Sequence, residues 1–518
     1  MRLSSLPFFA LAAGLTLFGG PVPASAAAVT ARDSKPSGSL TLLEKEKLLT
    51  FRYSTKSQDD RNWIGIYWSF YGGPDNEKYV DDSLAWAYAP GESGEVRVDV
   101  SGFQPGNYKA YLLAQDGYKW LAKPIDVLLP GSGPVEFITP SITTHNARQG
   151  DRFTAQLGGL IANPRDNETK FYRAETDDDW VSVAQDGEIS GKPGKRASDT
   201  KLVVQAVASD GTKAYITVTI PVRPAKSALV EELRVMSYNM WYGGSKVDGY
   251  HAKQVRFLVE SNVDIVGTQE SWNGQTIRLA KALGWYYWQS HENGILSRYP
   301  IKETFPEQQA GGSVRIALDG DRTQLIMWNV HLGYNPYGPY DFCFDRMPLE
   351  QVLDREVESG RTPQIVEVVK AMRGKLRDAD KVPVLLTGDF NAPSHLDWTE
   401  DNGADHCDAG YVPWPSSVYP INAGLIDSYR QRHPDPKKDP GTTWSPIYLD
   451  NDGRAEPMDR IDFVYHKGSR LQVLDSEAVM MGEPKAEPNH AQNEWTSDHK
   501  AVLTLYKVLP PSNKRWDL

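Results

Sequence analysis

Cysteine is scarce here, with two residues in a chain of 518. Two thiols cannot staple a disulfide-dense scaffold or build a four-cysteine metal site, so the fold must rest on hydrophobic cores. Positive charge is also short: 56 Lys and Arg stand against 67 Asp and Glu, a formal charge of −11. Nucleic-acid affinity comes mostly from cations that neutralise phosphates, so tight static binding of that kind is disfavoured. Turnover at a metal centre, which brings its own positive charge, is not. The apolar stretch from Leu6 to Leu17 is too short and too broken to cross a bilayer. With Arg2 before it and Ala24-Ser25-Ala26 after it, it reads as a signal peptide over residues 1–26. A secreted, extracellular protein with no transmembrane segment is expected. In that compartment Cys343 and Cys407 either bridge or stay free, and neither has a nucleophile's neighbours. Asn167-Glu168-Thr169 is a glycosylation sequon.

What is present is globular: 40% hydrophobic and 24% charged residues, enough for two or three domains at this length. Residues 38–130 alternate apolar and polar side chains, as in Trp63-Ile-Gly-Ile-Tyr-Trp, between turn residues such as Pro105-Gly106-Asn107. That pattern predicts an antiparallel β-sandwich module. Pro130-Gly-Ser-Gly-Pro134 is a linker. A second all-β module follows over 135–222, and its Asp-Gly-Glu-Ile-Ser-Gly-Lys-Pro stretch is similar to immunoglobulin-like domains. Trp63, Trp68, Trp86 and Trp120 either fill the first module's core and rims or form a platform for glycan or cell wall. From 232 to 508 the texture changes. Strand-like runs alternate with helical ones at His251–Ser261, Thr276–Leu283 and Thr362–Arg377, predicting a layered α/β domain.

That last region carries six polar motifs in fixed order. They are Ser237-Tyr238-Asn239, Gln269-Glu270, Asn329-Val330-His331, Gly388-Asp389-Phe390-Asn391, Asp459-Arg460-Ile461-Asp462 and Ser497-Asp498-His499. Val/Ile/Leu-rich runs precede the first four: Leu233–Met236, Val263–Val266, Gln324–Trp328 and Val382–Leu386. Buried strands that end in Asn, Glu, His and Asp deliver a site. Four carboxylates in one pocket would repel one another; two at ~4 Å cost about 4 kcal/mol at an effective dielectric near ~20. A hard divalent cation resolves that repulsion, and oxygen ligands suit Mg²⁺, Mn²⁺ or Ca²⁺.

Taken together, the six motifs resemble the endonuclease/exonuclease/phosphatase superfamily, which includes deoxyribonucleases, sphingomyelinases and inositol 5-phosphatases. The resemblance covers roughly Leu233 to Leu505. It implies a four-layer α/β sandwich of two packed mixed sheets flanked by helices. It also implies a metal-dependent phosphoric ester hydrolase of the phosphodiesterase or nuclease type. Asn239, Glu270 and Asp498 would hold the metal. His331, Asp389, Asn391, Asp462 and His499 would be catalytic, with Asp462 fixing the His499 tautomer and Asp389 orienting the attacking water. Asp459 competes with Asp462 for that role. Arg460 either touches phosphate or pairs with Asp459 or Asp427. His395, His406, His433 and His466 read as surface loop residues.

The substrate stays open at this level. Nucleic acid stands slightly ahead of a phospholipid headgroup as the phosphodiester. The chain lacks the Trp-Cys that precedes Asp-Arg in inositol 5-phosphatases, having Pro457-Met458 instead, and a basic groove is not evident. The aromatic loop from Tyr334 to Phe344 would overhang the site. Alternatives are a phosphomonoesterase acting on inositol phosphates, or a non-catalytic glycan-binding protein with a degenerate hydrolase domain. A monomer is expected.

Overall fold

The computed structural model describes residues 36–45, 48–164, 169–176 and 178–510. The signal segment and Asn167 of the sequon fall outside these residues. The described structure is rich in strands, arranged in several sheets, with helices concentrated after residue 249.

Alternation in the N-terminal part gives two antiparallel sheets. One orders Ser39–Lys45, Leu48–Ser54 and Ser93–Asp99; the other orders Ala85–Tyr88, Trp63–Trp68, Gly106–Leu113 and Ile125–Leu129. They share one apolar cluster that joins Leu49 and Phe51 to Ile64, Ile66 and Trp68. Of the four tryptophans, Trp68 is core, stacked on Tyr108 with ring centroids 4.8 Å apart. Farther on, Lys170–Thr176, Thr200–Val207, Lys213–Ile220 and Ser141–Thr143 form a four-stranded sheet beside a three-stranded one. This part is firmly docked. Phe153 and Leu157 share a core with Leu279 and Leu283 of the helix Gln275–Leu283. Arg148 also donates two hydrogen bonds, of 2.7 and 3.0 Å, to Asp319.

The C-terminal half holds two six-stranded mixed sheets. One orders Tyr286–Gln289, Gly294–Ser297, Ile265–Gln269, Glu232–Asn239, Ala501–Val508 and Leu471–Val479. The other orders Ile301–Thr304, Gly311–Asp321, Thr323–His331, Val384–Asp389, Asp462–Lys467 and Ile426–Asp427. Side chains alternate between two environments. Val235, Ile265, Met327 and Leu385 form the core between the sheets. Met236 and Tyr238 instead pack on Val255 and Leu258 of the helix Tyr250–Glu260, and Ile326 and Trp328 on Val368 and Met372 of Arg361–Arg377. At Gly267 the sheets come so close that a Cβ would lie 2.2 Å from Thr387 Oγ1, so no larger residue fits.

The three helices expected from the pattern lie within one residue at either end of those observed. The strands extend past their apolar runs. Asn239, Gln269, His331 and Asp389 are themselves terminal strand residues, because both sheets stay buried to their ends. Cys343 and Cys407 form a disulfide.

His466 corrects the sequence reading. It is not in a surface loop but in the strand Asp462–Lys467, 3% exposed, with Nδ1 2.9 Å from Ser428 Oγ. Burial pushes its pKa down to about 4, so the folded state keeps the ring neutral. The unfolded chain takes up that proton below about 6.5. Stability from this residue is therefore full above pH 6.5 and lost as pH falls from there toward 4, by up to about 3 kcal/mol. Urea unfolding of the wild type and His466→Gln across that window should show the acid loss flattened in the variant.

Candidate active site

Strand register builds the first half of the site. Thr323–His331 runs parallel to Val384–Asp389 with His331 paired to Asp389, and the antiparallel neighbour pairs Asp389 to Asp462. Three ionisable residues thus stand side by side on adjacent strands. The antiparallel direction also explains why Asp462 opens its strand whereas His331 and Asp389 close theirs. The other sheet pairs Asn239 with Gln269, so Glu270 follows at the same edge.

The two edges meet at the Asp389 carboxylate, which is 1% exposed. Its Oδ2 accepts a 2.9 Å hydrogen bond from Asn239 Nδ2 and lies 3.5 Å from His331 Nε2 and 3.7 Å from His499 Nε2. Its Oδ1 accepts from the Asn391 backbone N–H at 2.8 Å. Asn239 Nδ2 also reaches Glu270 Oε1 at 3.3 Å, while Asn239 Oδ1 accepts from the Trp241 N–H. Glu270 Oε2 accepts from the Tyr242 N–H at 2.8 Å. The Asn391 side chain turns to the Leu332 carbonyl. Trp241, Tyr242, Glu270 and Asn391 all have φ between 49° and 53°, left-handed backbone that non-glycine residues adopt at a cost. Four such residues around one carboxylate mark loops held in shape by the site's own hydrogen bonds.

His499 Nδ1 is 2.8 Å from Asp462 Oδ2, so Asp462 is its partner. Asp459 is not: it accepts from Trp398 Nε1 at 2.7 Å. Burial opposes protonation of His499, but Asp462, Asp389 and Asp498 outweigh it and hold the ring well above the usual histidine range. The His499 backbone is fixed at both ends. Ser497 Oγ, itself donating to the Asn239 carbonyl, accepts from its N–H, and Trp495 Nε1 donates to its carbonyl. Arg460 faces away from the site, buried and forked onto Asp397 and Asp427.

Sequence reasoning missed one neighbour, Glu292. Glu292 Oε2 is 3.2 Å from His331 Nδ1; burial opposes the charge on His331, yet Glu292 and Asp389 hold its pKa up to about 9. Glu292 belongs to no motif, and its only signal was proximity to a strand. Trp444 stands with its ring 5.0 Å from His499 and donates Nε1 to Glu456. The aromatic loop is partly structural, since Phe342 packs on Trp398 and Trp414 beside the disulfide, while Tyr334 is exposed.

The donor set suits a hard cation. Asp498 is buried, its Oδ1 without a hydrogen bond and 3.9 Å from His499 Nε2; burial, joined by the charges of Glu270 and Asp389, outweighs His499 and pushes its pKa up to about 8. Asp389, Asp462 and His499 also offer ligand atoms within 4.8 Å of one another. Asp462 spends Oδ2 on His499, and its Oδ1, like that of Asp498, makes no hydrogen bond, so both carboxylates keep an oxygen for a positive charge.

The sequence model of the Endonuclease/Exonuclease/phosphatase family matches residues 236–499. An uncharacterized protein of Caenorhabditis elegans is 33% identical over 298 residues, covering 54% of this chain and 92% of that protein. Among solved structures, truncated Caenorhabditis elegans TDP2 aligns with 54% of this chain and 98% of its own, at 15% identity and TM-score 0.36. The human Nocturnin catalytic domain aligns with 54% and 96%, at 14% and 0.34. An AP endonuclease from Archaeoglobus fulgidus aligns with 52% and 98%, at 15% and 0.32.

Asp459 permits a stability test. Burial pushes its carboxyl up to about 7, so the fold favours the protonated form. Its contribution is full below 3.8 and is lost as pH rises through 7. Asp459→Asn should unfold at higher urea than wild type at pH 8, by a few kcal/mol, with the difference gone near pH 4. Chemical denaturation at the two pH values measures it.

Proposed function

The chain belongs to the endonuclease/exonuclease/phosphatase family, whose members hydrolyse phosphate esters, and on that premise we propose that it is a secreted, divalent-metal-dependent phosphodiesterase. One observation carries the reading: Asp389 Oδ2 lies within 3.7 Å of both imidazoles while Asn239 ties it to the opposite sheet. A structural carboxylate needs one cation, whereas an acid between two histidines is arranged to move protons. The proposal extends to the family's four-layer sandwich, preceded by two immunoglobulin-like β-sandwich modules over 38–130 and 135–222.

Glu270, Asn239 and Asp498 would hold Mg²⁺, Mn²⁺ or Ca²⁺, which supplies Lewis-acid polarisation of a phosphoryl oxygen. Asn239 presents one free lone pair of Oδ1 for this, since the Trp241 N–H takes the other. The protein's own groups do the rest. Asp389 orients the attacking water and accepts its proton as the new oxygen–phosphorus bond forms. Asn391, fixed by its backbone bond to Asp389, frames the water's position. His331, kept protonated by Glu292, donates to the phosphoryl oxygen or to the departing oxygen. Asp462 holds His499 in one tautomer, facing Asp389 through Nε2.

Nucleic acid or a phospholipid headgroup is the proposed substrate class, with nucleic acid ahead by analogy to secreted relatives; exposed Tyr334 and half-buried Trp444 offer stacking surfaces near the site. The test is a panel of plasmid DNA, RNA, sphingomyelin, inositol phosphates and bis-p-nitrophenyl phosphate. Turnover should require Mg²⁺ or Mn²⁺ and vanish in EDTA. His499→Ala, Glu270→Gln and Asp462→Asn should each lower kcat about 10²- to 10⁴-fold, whereas Asp459→Asn should leave it near wild type. Full activity in EDTA would overturn the mechanism, and phosphate release from inositol phosphates with DNA intact would reassign the substrate.

A further inference from the structure

The strand Trp63–Trp68 divides its side chains between two faces. Ile64, Ile66 and Trp68 enter the core between the N-terminal sheets. Trp63 and Tyr67 point the other way and join Tyr111 and Leu113 in a second cluster. Register lays Tyr88 beside Trp63 and Trp86 beside Gly65. Gly65 lets the Trp63 and Tyr67 rings lie across the strand; a Cβ there would come 2.6 Å from the Trp63 ring and 3.0 Å from that of Tyr67.

A cavity of about 380 Å³ opens beside these rings, walled by Trp63, Trp86, Tyr88 and Tyr118 and lined also by Tyr67, Asp82 and Asp116. Its rings meet edge to face: Trp63 with Trp86 at 85°, Trp63 with Tyr118 at 78°, and Trp86 with Tyr88 at 76°. Tyr67 is 1% exposed, yet its hydroxyl has no hydrogen-bond partner. Negative charge stands at the rim. Asp116 is 3.9 Å from the exposed Arg61 guanidinium, which partly neutralises it. Asp82, which lines the cavity, accepts a 3.3 Å hydrogen bond from the Tyr79 hydroxyl.

We propose that this cavity binds a quaternary ammonium group of the choline type. Perpendicular rings turn several π-faces toward one volume, which attracts a cation from more than one side. A sugar ring stacks on one continuous flat face, whereas neighbouring rings here stand near perpendicular to one another. A trimethylammonium group donates no hydrogen bonds, so apolar walls cost it little, and the carboxylate at the rim supplies the counter-charge. The inference does not depend on the reading of the catalytic site.

The full-length protein should be titrated with choline, tetramethylammonium, ethanolamine and a neutral cello-oligosaccharide, followed by tryptophan fluorescence and calorimetry. Choline and tetramethylammonium should saturate, with ethanolamine weaker. Trp86→Ala and Asp82→Asn should each weaken choline by ~10-fold or more. Trp86 is 54% exposed, so its replacement should leave the melting temperature and hydrolysis of a soluble phosphodiester unchanged. Sedimentation with phosphatidylcholine vesicles separates the sources: vesicle binding competed by choline indicates a lipid headgroup, and choline binding without it indicates a small soluble ligand. Either supports the site. No saturable choline binding, equal affinity in both variants, or binding of the oligosaccharide alone would overturn it.

Discussion

The Asp389 carboxylate is the joint on which the catalytic half is organised. It ends the central strand of one sheet, and the amide of Asn239, ending a strand of the other, binds it directly. A buried anion of this kind is tolerable only when its oxygens are occupied, and here backbone N–H, amide and two imidazoles converge on it. Displacing either sheet by a residue would break that set, because each side chain alternates between faces. The core between the sheets and the close approach at Gly267 hold the spacing on which the joint depends.

Around this joint lies a layer of side chains that fixes the candidate site residues. Trp495, Ser497 and Thr443 hold the backbone that carries His499, Asp462 and Ile461. Gln269, Asn329 and Thr387 form a buried polar network between the sheets just behind the site. Hydrogen bonds in a low dielectric are strong, and loosening one member of such a network leaves others unsatisfied. Arg460 plays the same part for the loops, pinning Asp397 and Asp427 from behind.

How much was readable beforehand differs by level. The candidate site residues gather where the strands of the two sheets end, because apolar runs precede four of the six motifs and buried runs are strands. The resemblance named Asp462 as the partner of His499 with Asp459, three residues away, as a competitor, and the strand's start decides for Asp462. His466 was misjudged because a polar residue near a strand's end looks exposed until Ser428 and Tyr506 are seen to cover it. The tryptophans of the first sheets were read as one group; alternation and Gly65 divide them between core and cavity.

By itself, the sequence determined the order of the strands' chemistry, since hydrophobic periodicity and the polar residues at run ends are local properties. It also determined which types of polar side chain would stand at the strand ends. Only the tertiary structure decided which of them touch. Register set His331, Asp389 and Asp462 abreast, sheet packing brought Asn239 to Asp389, and folding placed Glu292 behind His331. Those contacts join residues up to 150 positions apart, and no local pattern encodes a distance across two sheets.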